Sequence, residues 1–587
     1  MNTDKLGFIS LSLFTLGLPN LNSVSAEKNK QPNVILILAD DQGYGDMACT
    51  GNPFLKTPNL DNLHNESIRF TDFHVAPMSS PTRGQLLTGV DCLRNGCMAT
   101  CAGRSTVREE YPMAGEIFKE AGYQTGIFGK WHLGYNWPQR PMDRGFQEAI
   151  YFYGFGLTGM GHHWNSDYYD PFYYHNGELN QAKGYCNDFW FSEAKRWINE
   201  CKDSGKPFFC YLPTNIAHFP EWIDSTYTAQ YKLSGAAGFY GMISNLDENV
   251  GKLDRFLKDN GLQENTILIY LSDNGTVHPK VYNAGMTGGK CTRTEGGHRV
   301  PFFIRWPDGK FSLPGDINTP TQVQDLLPTL LDLCGVSKPA NAKFDGVSLA
   351  NLIRGNKLDD RMFVVQYYQN DLKKNDAAII WNSWRLLPMF GDELYDITND
   401  PAQKKNISLS HPDIVKKMKV FYEQWWSGVE PRLNDYVCNH IGSSHQAEVA
   451  ICASDWQEVR ADGNGSARQP KPIYSEGGIW NIMVDRPGNY SIEIRRWPRE
   501  ANAGITSGLP AFFPKFGKPE PEGVVLPIAN VHLSINNIKR SSAIMPDDKS
   551  VTFKVTLSKG KTQLHSWFSD NNDKPVCGVF YAYIKKE

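Results

Sequence analysis

Five short apolar runs punctuate the first half of the chain: VILILA (34–39), TGIF (125–128), PFFCYL (207–212), TILIYL (266–271) and PFFIRW (301–306). Segments of helical character separate them. Apolar, often β-branched runs of this length alternating with helices predict a parallel sheet buried on both faces, and so an α/β region. From residue 344 to residue 431 the pattern shifts to shorter strands, MFVVQYY and SWRLLPM, and then to a helix, HPDIVKKMKVFYEQWW. That predicts a small antiparallel sheet with a helix packed on it. After Leu433 the chain alternates strands such as GGIWNIMV, GNYSIEIRRWP, VTFKVTLSKG and CGVFYAYIKK with turns rich in Gly, Pro, Asn and Asp, the pattern of an all-β sandwich. The expected organisation is 27–340, 341–432 and 433–587.

The first 26 residues, MNTDKLGFISLSLFTLGLPNLNSVSA, carry one lysine, an apolar stretch and small residues before a polar EKNK. They are expected to be a signal peptide, which places the mature protein in the periplasm or outside the cell. The stretch is too short to span a bilayer and no later run reaches that length, so no membrane span is expected. A chain of 587 residues is long enough for several cores and a deep cleft. With 60 Lys+Arg against 63 Asp+Glu and no basic run, nothing points to a nucleic-acid partner. Twelve cysteines are sparse for this length and lack CxxC spacing. Cys92, Cys97 and Cys101 are therefore expected to pack in a core or pair as a disulfide rather than bind zinc.

Ligands of an open parallel sheet collect beyond the carboxyl ends of its strands, and the residues there are strongly polar. VILILA is followed by Asp40 and Asp41, TGIFG by Lys130 and His132, PFFCYLPTNIA by His218, and TILIYLS by Asp273 and Asn274. Singly, an Asp there caps a helix and a His is a satisfied structural residue. Converging on one edge, three carboxylates and an amide oxygen suit a hard cation, Ca²⁺ or Mg²⁺. Lys130, His132, His218 and Lys290 would surround it with cations and proton donors, and Arg83 adds a fork for an oxyanion. Ser79 and Ser80 precede Pro81, which favours the first turn of a helix, so they sit at an anion-attracting N-terminus. The spacing predicts metal-assisted hydrolysis of an anionic ester, with the nucleophile at 79 or 80.

Ser79-Ser80-Pro81-Thr82-Arg83 followed by Leu87-Thr88-Gly89 resembles the type I sulfatase signature. It is joined in order by ADDQGYGD, GKWHLG, SDNG and GGKCTRTEGGHRVPFFIRWP, so the resemblance runs from about residue 33 to 430. The chain departs from the family's Leu-Arg-Gly pattern with Met286-Thr287-Gly288. The resemblance implies an alkaline phosphatase-like sulfatase fold and conversion of Ser79, not Ser80, to formylglycine. It implies a Ca²⁺ held by Asp40, Asp41, Ser79, Asp273 and Asn274. Arg83 and Lys130 would stabilise the hydrated aldehyde, and His132 would be the base that collapses the intermediate. His218 and Lys290 would bind sulfate, with His218 the acid for the leaving alcohol. One hydroxyl of an aldehyde hydrate beside a divalent cation is more acidic than a serine hydroxyl, which explains the lack of a neighbouring histidine.

A serine in the first signature position looks like the bacterial branch matured by a radical SAM enzyme before export. Export together with a β domain favours a sulfated glycan as the substrate over a small aryl ester. Rival readings are a phosphoester hydrolase of the same superfamily and a non-catalytic glycan-binding relative. Between Phe152 and Asn176 the loop YGFGLTGMGHHWNSDYYDPFYYHN offers His162, His163, Trp164 and Asp167 as sugar contacts, or else forms aromatic packing beneath a long loop.

Overall fold

In the computed structural model, residues 1, 31–309, 311, 313–368 and 372–587 are described. The apolar stretch read as an export signal lies outside them. The central element is a ten-stranded sheet among the described residues. Its order is Gly315–Ile317, Ile68–Phe70, Phe302–Arg305, Thr266–Ser272, Asn33–Ala39, Phe208–Pro213, Gln124–Lys130, Glu148–Phe152, Phe172–His175 and Glu178–Gln181.

The strand Asn33–Ala39 shows why its sequence is apolar throughout. Val34, Leu36 and Leu38 enter one core while Ile35, Ile37 and Ala39 enter the other, all at 0–1% exposure. Successive side chains point to opposite faces, so a strand covered on both sides has no polar position to spare. Burying each of the larger side chains contributes about 1.5–3 kcal/mol. The helices Cys186–Ser204 and Ala237–Asp259 cover one face, and Ala114–Glu120 and Leu326–Cys334 cover the other.

The sheet is mixed, where a parallel one was expected. Its five middle strands are parallel, but Phe302–Arg305 runs antiparallel to Thr266–Ser272. A parallel return needs a crossover, usually a helix. The chain from Asp273 to Pro301 instead holds one four-residue helix, Glu295–His298, and spends its length on the loop that carries Lys290.

The antiparallel sheet Met362–Gln366, Ala377–Trp381, Trp384–Leu387 and Glu393–Asp396 packs against the helix Pro412–Val429. Met418, Tyr422, Trp426 and Val429 line one helix face and share a core with Ile379, Leu386, Leu394 and, from the α/β region, Cys92 and Leu93. Beyond it, two sheets enclose a third core, to which the α/β region contributes Met160 and Trp164. All twelve cysteines are free thiols, and Cys92, Cys97 and Cys101 are buried. No helix among the described residues is long and apolar enough to cross a membrane.

A buried ionic latch ties the antiparallel sheet to the α/β region. Arg385 is fully buried and donates from Nη2 to Asp72 at 2.7 and 2.9 Å and from Nε to Glu295 at 2.8 Å. His74 adds a 2.8 Å contact to Asp72 and a 2.9 Å contact to His298. Burial raises the Glu295 carboxyl, but the Arg385 guanidinium together with His74 and His298 outweighs it and brings the group down to about 2. Removing one partner of such a pair strands the other charges in the interior, at a cost of about 3–5 kcal/mol. Arg385→Met is therefore expected to lower the thermal midpoint of unfolding clearly relative to wild type. An unchanged midpoint in a melting scan at neutral pH would show that the latch is dispensable.

Candidate active site

The register of the two central strands builds the site. Ala39 lies opposite Ser272, so Asp40 and Asp41 leave one strand beside Asp273 and Asn274 leaving its neighbour. Asp41 turns into the left-handed region at φ 63°, a strained setting for a non-glycine residue, and its N–H donates to Asp273 Oδ1 at 3.1 Å. Asn274 Nδ2 donates to Asp41 Oδ1 at 2.8 Å. All four side chains are fully buried.

Ser79 opens the helix Ser79–Thr88, after the extended residue Met78. Its hydroxyl lies 3.3 Å from both Asp40 Oδ1 and Asn274 Oδ1. The neighbouring Ser80 turns away and donates to the His132 carbonyl at 2.9 Å. Arg83, one helical turn on, is fully buried and donates to Asp273 Oδ2 at 2.8 Å, with Asp40 Oδ2 at 3.8 Å. Lys130 ends its strand with Nζ 2.6 Å from Asp40 Oδ2. Lys290 reaches in from the long loop to Asp41 Oδ1 at 2.5 Å, and that loop is stapled to the start of the serine helix by Cys291 N donating to Pro77 O at 2.9 Å.

Burial sets the electrostatics and the charge pairs answer it. Desolvation raises the carboxyls of Asp40 and Asp41, but Lys130 with His218 and Arg83 around the first, and Lys290 with His218 and the Asn274 amide around the second, together outweigh it, so both stay ionised below the usual range. Burial pulls the Lys130 ammonium down to about 8, with Asp40 opposing the fall. Lys290 ends above its ordinary value because Asp41, Asp40 and Asp273 outweigh the desolvation it suffers.

The two histidines differ in which nitrogen is free. His132 places Nε2 3.0 Å from the Thr100 carbonyl, which can only accept, so Nε2 carries the hydrogen and Nδ1 is left as a lone pair. That Nδ1 is buried without a hydrogen-bond partner, and burial keeps the ring neutral. His218 is the reverse. Its Nδ1 donates to the Phe219 carbonyl at 2.7 Å, and Nε2 faces Asp41 Oδ2 at 3.8 Å.

The donors suit a hard divalent cation. Asp41 Oδ2 is buried with no hydrogen-bond partner, an orphan that costs stability unless something fills the place beside it. Asp40 Oδ1 and Asn274 Oδ1 converge on Ser79 Oγ, and Asp40, Asp41 and His218 each offer a ligand atom within 4.8 Å of the others. Three carboxylates face three cations, Arg83, Lys130 and Lys290, so a divalent ion leaves the pocket net positive, as an anionic substrate requires. A second group with ligand-like spacing, His74, Glu295 and His298, is the ionic latch. There Arg385 already provides the countercharge and the ring nitrogens have partners.

The structure does not bring the four sugar-contact candidates of the 152–176 loop to this cluster. His162 is buried with Nε2 3.1 Å from the Phe172 carbonyl, and burial pulls its imidazole down to about 3. His163 stacks on the Phe172 ring at 3.7 Å. Trp164 packs edge-on against Trp497 at 5.5 Å under the Arg468 guanidinium, and Asp167 accepts from Tyr169 N at 3.1 Å and Lys515 N at 2.7 Å. Trp164 and Asp167 fasten the loop to the β-sandwich, while His162 and His163 brace it internally against Phe172. Sequence reasoning missed the supports of the cluster. Gln42 pairs with the Tyr270 hydroxyl behind Asp41, and the Thr100 carbonyl, a backbone atom with no side-chain signature, sets the His132 tautomer.

The family model described as Sulfatase matches residues 32–336, and the one described as N-sulphoglucosamine sulphohydrolase, C-terminal, matches residues 290–424. N-acetylgalactosamine-6-sulfatase of Canis lupus familiaris is 31% identical over 388 residues, covering 61% of this chain and 72% of that protein. Arylsulfatase A of Homo sapiens is 30% identical over 413 residues, covering 65% and 80%. Among solved structures, Ps i-CgsB in complex with k-i-k-neocarrahexaose superposes with a TM-score of 0.62 at 28% identity, covering 68% of this chain and 93% of that one. With the ordered motifs gathered around one buried cluster and the family model spanning more than half its length, this chain belongs to the type I sulfatases, which are sulfuric ester hydrolases.

Proposed function

We propose that this chain is an exported sulfatase that removes sulfate from O-sulfated sugars, with residue 79 working as formylglycine beside a Ca²⁺. The observation that carries the reading is the setting of Ser79. Its hydroxyl faces a carboxylate and an amide oxygen, not a histidine nitrogen, so an unmodified serine there has no base to activate it. Asp40, Asp41, Asp273, Asn274 and residue 79 would hold the ion. The cation and the hydrated aldehyde supply an acidic hydroxyl, and a second hydroxyl that a plain serine lacks.

The remaining side chains divide the work of hydrolysis. Arg83 and Lys130, held by Asp273 and Asp40, orient the oxygens of residue 79. Lys290 and His218, both facing Asp41, bind the sulfate oxygens and draw off negative charge as the S–O bond breaks. His218 takes up a proton at Nε2 once the anionic sulfate ester is bound beside it, and gives that proton to the departing sugar oxygen while the Phe219 carbonyl fixes its ring through Nδ1. His132 receives a proton at its free Nδ1 as sulfate is released. A sugar is the leaving alcohol favoured here because the similar proteins include an N-acetylgalactosamine-6-sulfatase and Ps i-CgsB in complex with k-i-k-neocarrahexaose. Maturation would require a radical SAM enzyme acting before export to the periplasm or beyond.

Three outcomes test this reading. Mass spectrometry of the peptide containing Ser79, from a host with the maturation enzyme, should show loss of two hydrogens at that residue. An unmodified serine in a protein that still hydrolyses sulfate esters would sink the mechanism. Chelation of the metal should lower the melting temperature, and added Ca²⁺ should restore it, because binding to the folded state alone stabilises it. Identical melting curves with and without chelator would remove calcium from the account. His218→Ala should lose about 10²–10⁴-fold in kcat/KM on a sugar sulfate and far less on 4-nitrophenyl sulfate, whose alcohol leaves without a proton. Equal losses on the two would take the general acid away from His218.

A further inference from the structure

Two short stretches of the α/β region set the geometry of His132, and both rest on one turn of the β-sandwich. The first carries the residue itself. His132 lies at φ 58° and Gly134 at φ 106°, both in the left-handed region, so the backbone is strained at the histidine and keeps its course only if both ends are fixed. The strand Gln124–Lys130 fixes one end. Tyr135 fixes the other, its hydroxyl accepting from Cys452 N at 3.0 Å and donating to Asp455 Oδ2. Asp455 Oδ2 also accepts from Asn439 Nδ2 at 3.3 Å, and Asn136 donates to Ala450 O at 2.6 Å.

The second stretch carries Thr100, whose carbonyl leaves Nδ1 as the free nitrogen of His132. It closes on itself through Met98 N donating to Arg104 O at 2.8 Å. It docks on the same turn through Gly103 N to Ser454 O at 3.3 Å, Glu458 N to Ala102 O at 3.3 Å, and Arg104 with Glu458 at 2.7 Å. Gly103 has φ 69°, and a Cβ there would lie 3.1 Å from the Asp455 carbonyl oxygen, so the two backbones meet directly. The turn, residues 452–458, is anchored in its turn. Ala453 and Trp456 are fully buried, Ala453 N donates to Phe580 O at 2.9 Å, and the Trp480 indole donates to Cys452 O at 2.8 Å.

We propose that this turn positions the His132 imidazole from the C-terminal region, with Tyr135 and Asp455 as positioning residues, and so governs the release of sulfate rather than the departure of the alcohol. This rests on the reading of His132 as the group that receives a proton when sulfate leaves. Departure of the alcohol draws on His218 and Lys290, which are held instead by Asp41 and the Phe219 carbonyl. A catalytic group displaced by about 1 Å loses up to about a hundred-fold in the step it serves. Loosening the turn therefore slows the second half of the reaction and spares the first.

The test compares Tyr135→Phe, Asp455→Ala and Asp455→Asn with wild type and with His132→Ala, each as the intact enzyme converted at residue 79, on 4-nitrophenyl sulfate. In a two-step reaction kcat/KM reports only the steps up to release of the first product, the alcohol. Tyr135→Phe and Asp455→Ala should thus lower kcat about ten-fold or more, lower KM with it, and leave kcat/KM within about two-fold of wild type. Rapid mixing should show a burst of about one nitrophenol per converted site ahead of the slow steady state. Asp455→Asn keeps an oxygen that accepts from Tyr135 and should recover most of kcat. A purely structural role would lower the burst and kcat/KM together, and that result overturns the proposal, as does wild-type kcat in both Tyr135→Phe and Asp455→Ala. His132→Ala isolates the underlying reading, since it should give the same burst with a still lower kcat. Loss of the burst in that variant, or wild-type kcat, would defeat the role given to His132 itself.

Discussion

Three carboxylates buried side by side are the constraint around which this molecule is arranged. Asp40, Asp41 and Asp273 are driven together by strand register, and none can ionise in the interior without compensation. Arg83, Lys130 and Lys290 supply it, each from a different element, and each at 2.5–2.8 Å from its carboxylate. The helix carrying Ser79 is drawn to the same point because Arg83 sits one turn behind the serine. Fixing the charges therefore also fixes the nucleophile position. Electrostatics and geometry are here one requirement.

Much of this was legible because the informative residues lie at strand ends. A continuous apolar run reads as a strand covered on both faces, and whatever follows it falls on the edge where ligands gather. Asp40, Asp41, Lys130, Asp273 and Asn274 are all of that kind. The antiparallel course of Phe302–Arg305 was not legible, since an apolar run carries no direction. Nor was the fate of His162, His163, Trp164 and Asp167. Aromatic and polar residues in a loop read alike whether they face a sugar, one another or another domain; here the partners of Trp164 and Asp167, namely Trp497, Arg468 and Lys515, lie some three hundred positions later, while His162 and His163 meet Phe172 of the same loop.

The three regions of the chain are joined by unlike means. The antiparallel sheet is held to the α/β region by the ionic latch of Arg385 with Asp72 and Glu295, and by a shared core around Cys92 and Leu93. The β-sandwich is held by polar contacts such as Arg104 with Glu458 at 2.7 Å, and by the loop that threads into it. Both joints touch segments next to the charge cluster. The latch includes Glu295 and His298, which follow Lys290 in the same loop, while Arg104 follows Thr100, which orients His132.

Met160 and Trp164 belong by sequence to the α/β region and by packing to the core of the sandwich. The two regions are thus interlocked like a hook in an eye. Cutting the chain before the sandwich would expose an indole and a thioether to water and leave the sandwich with a hole in its centre. The C-terminal region is consequently no detachable accessory, and a shortened protein would lose the packing of Met160 and Trp164 together with its solubility.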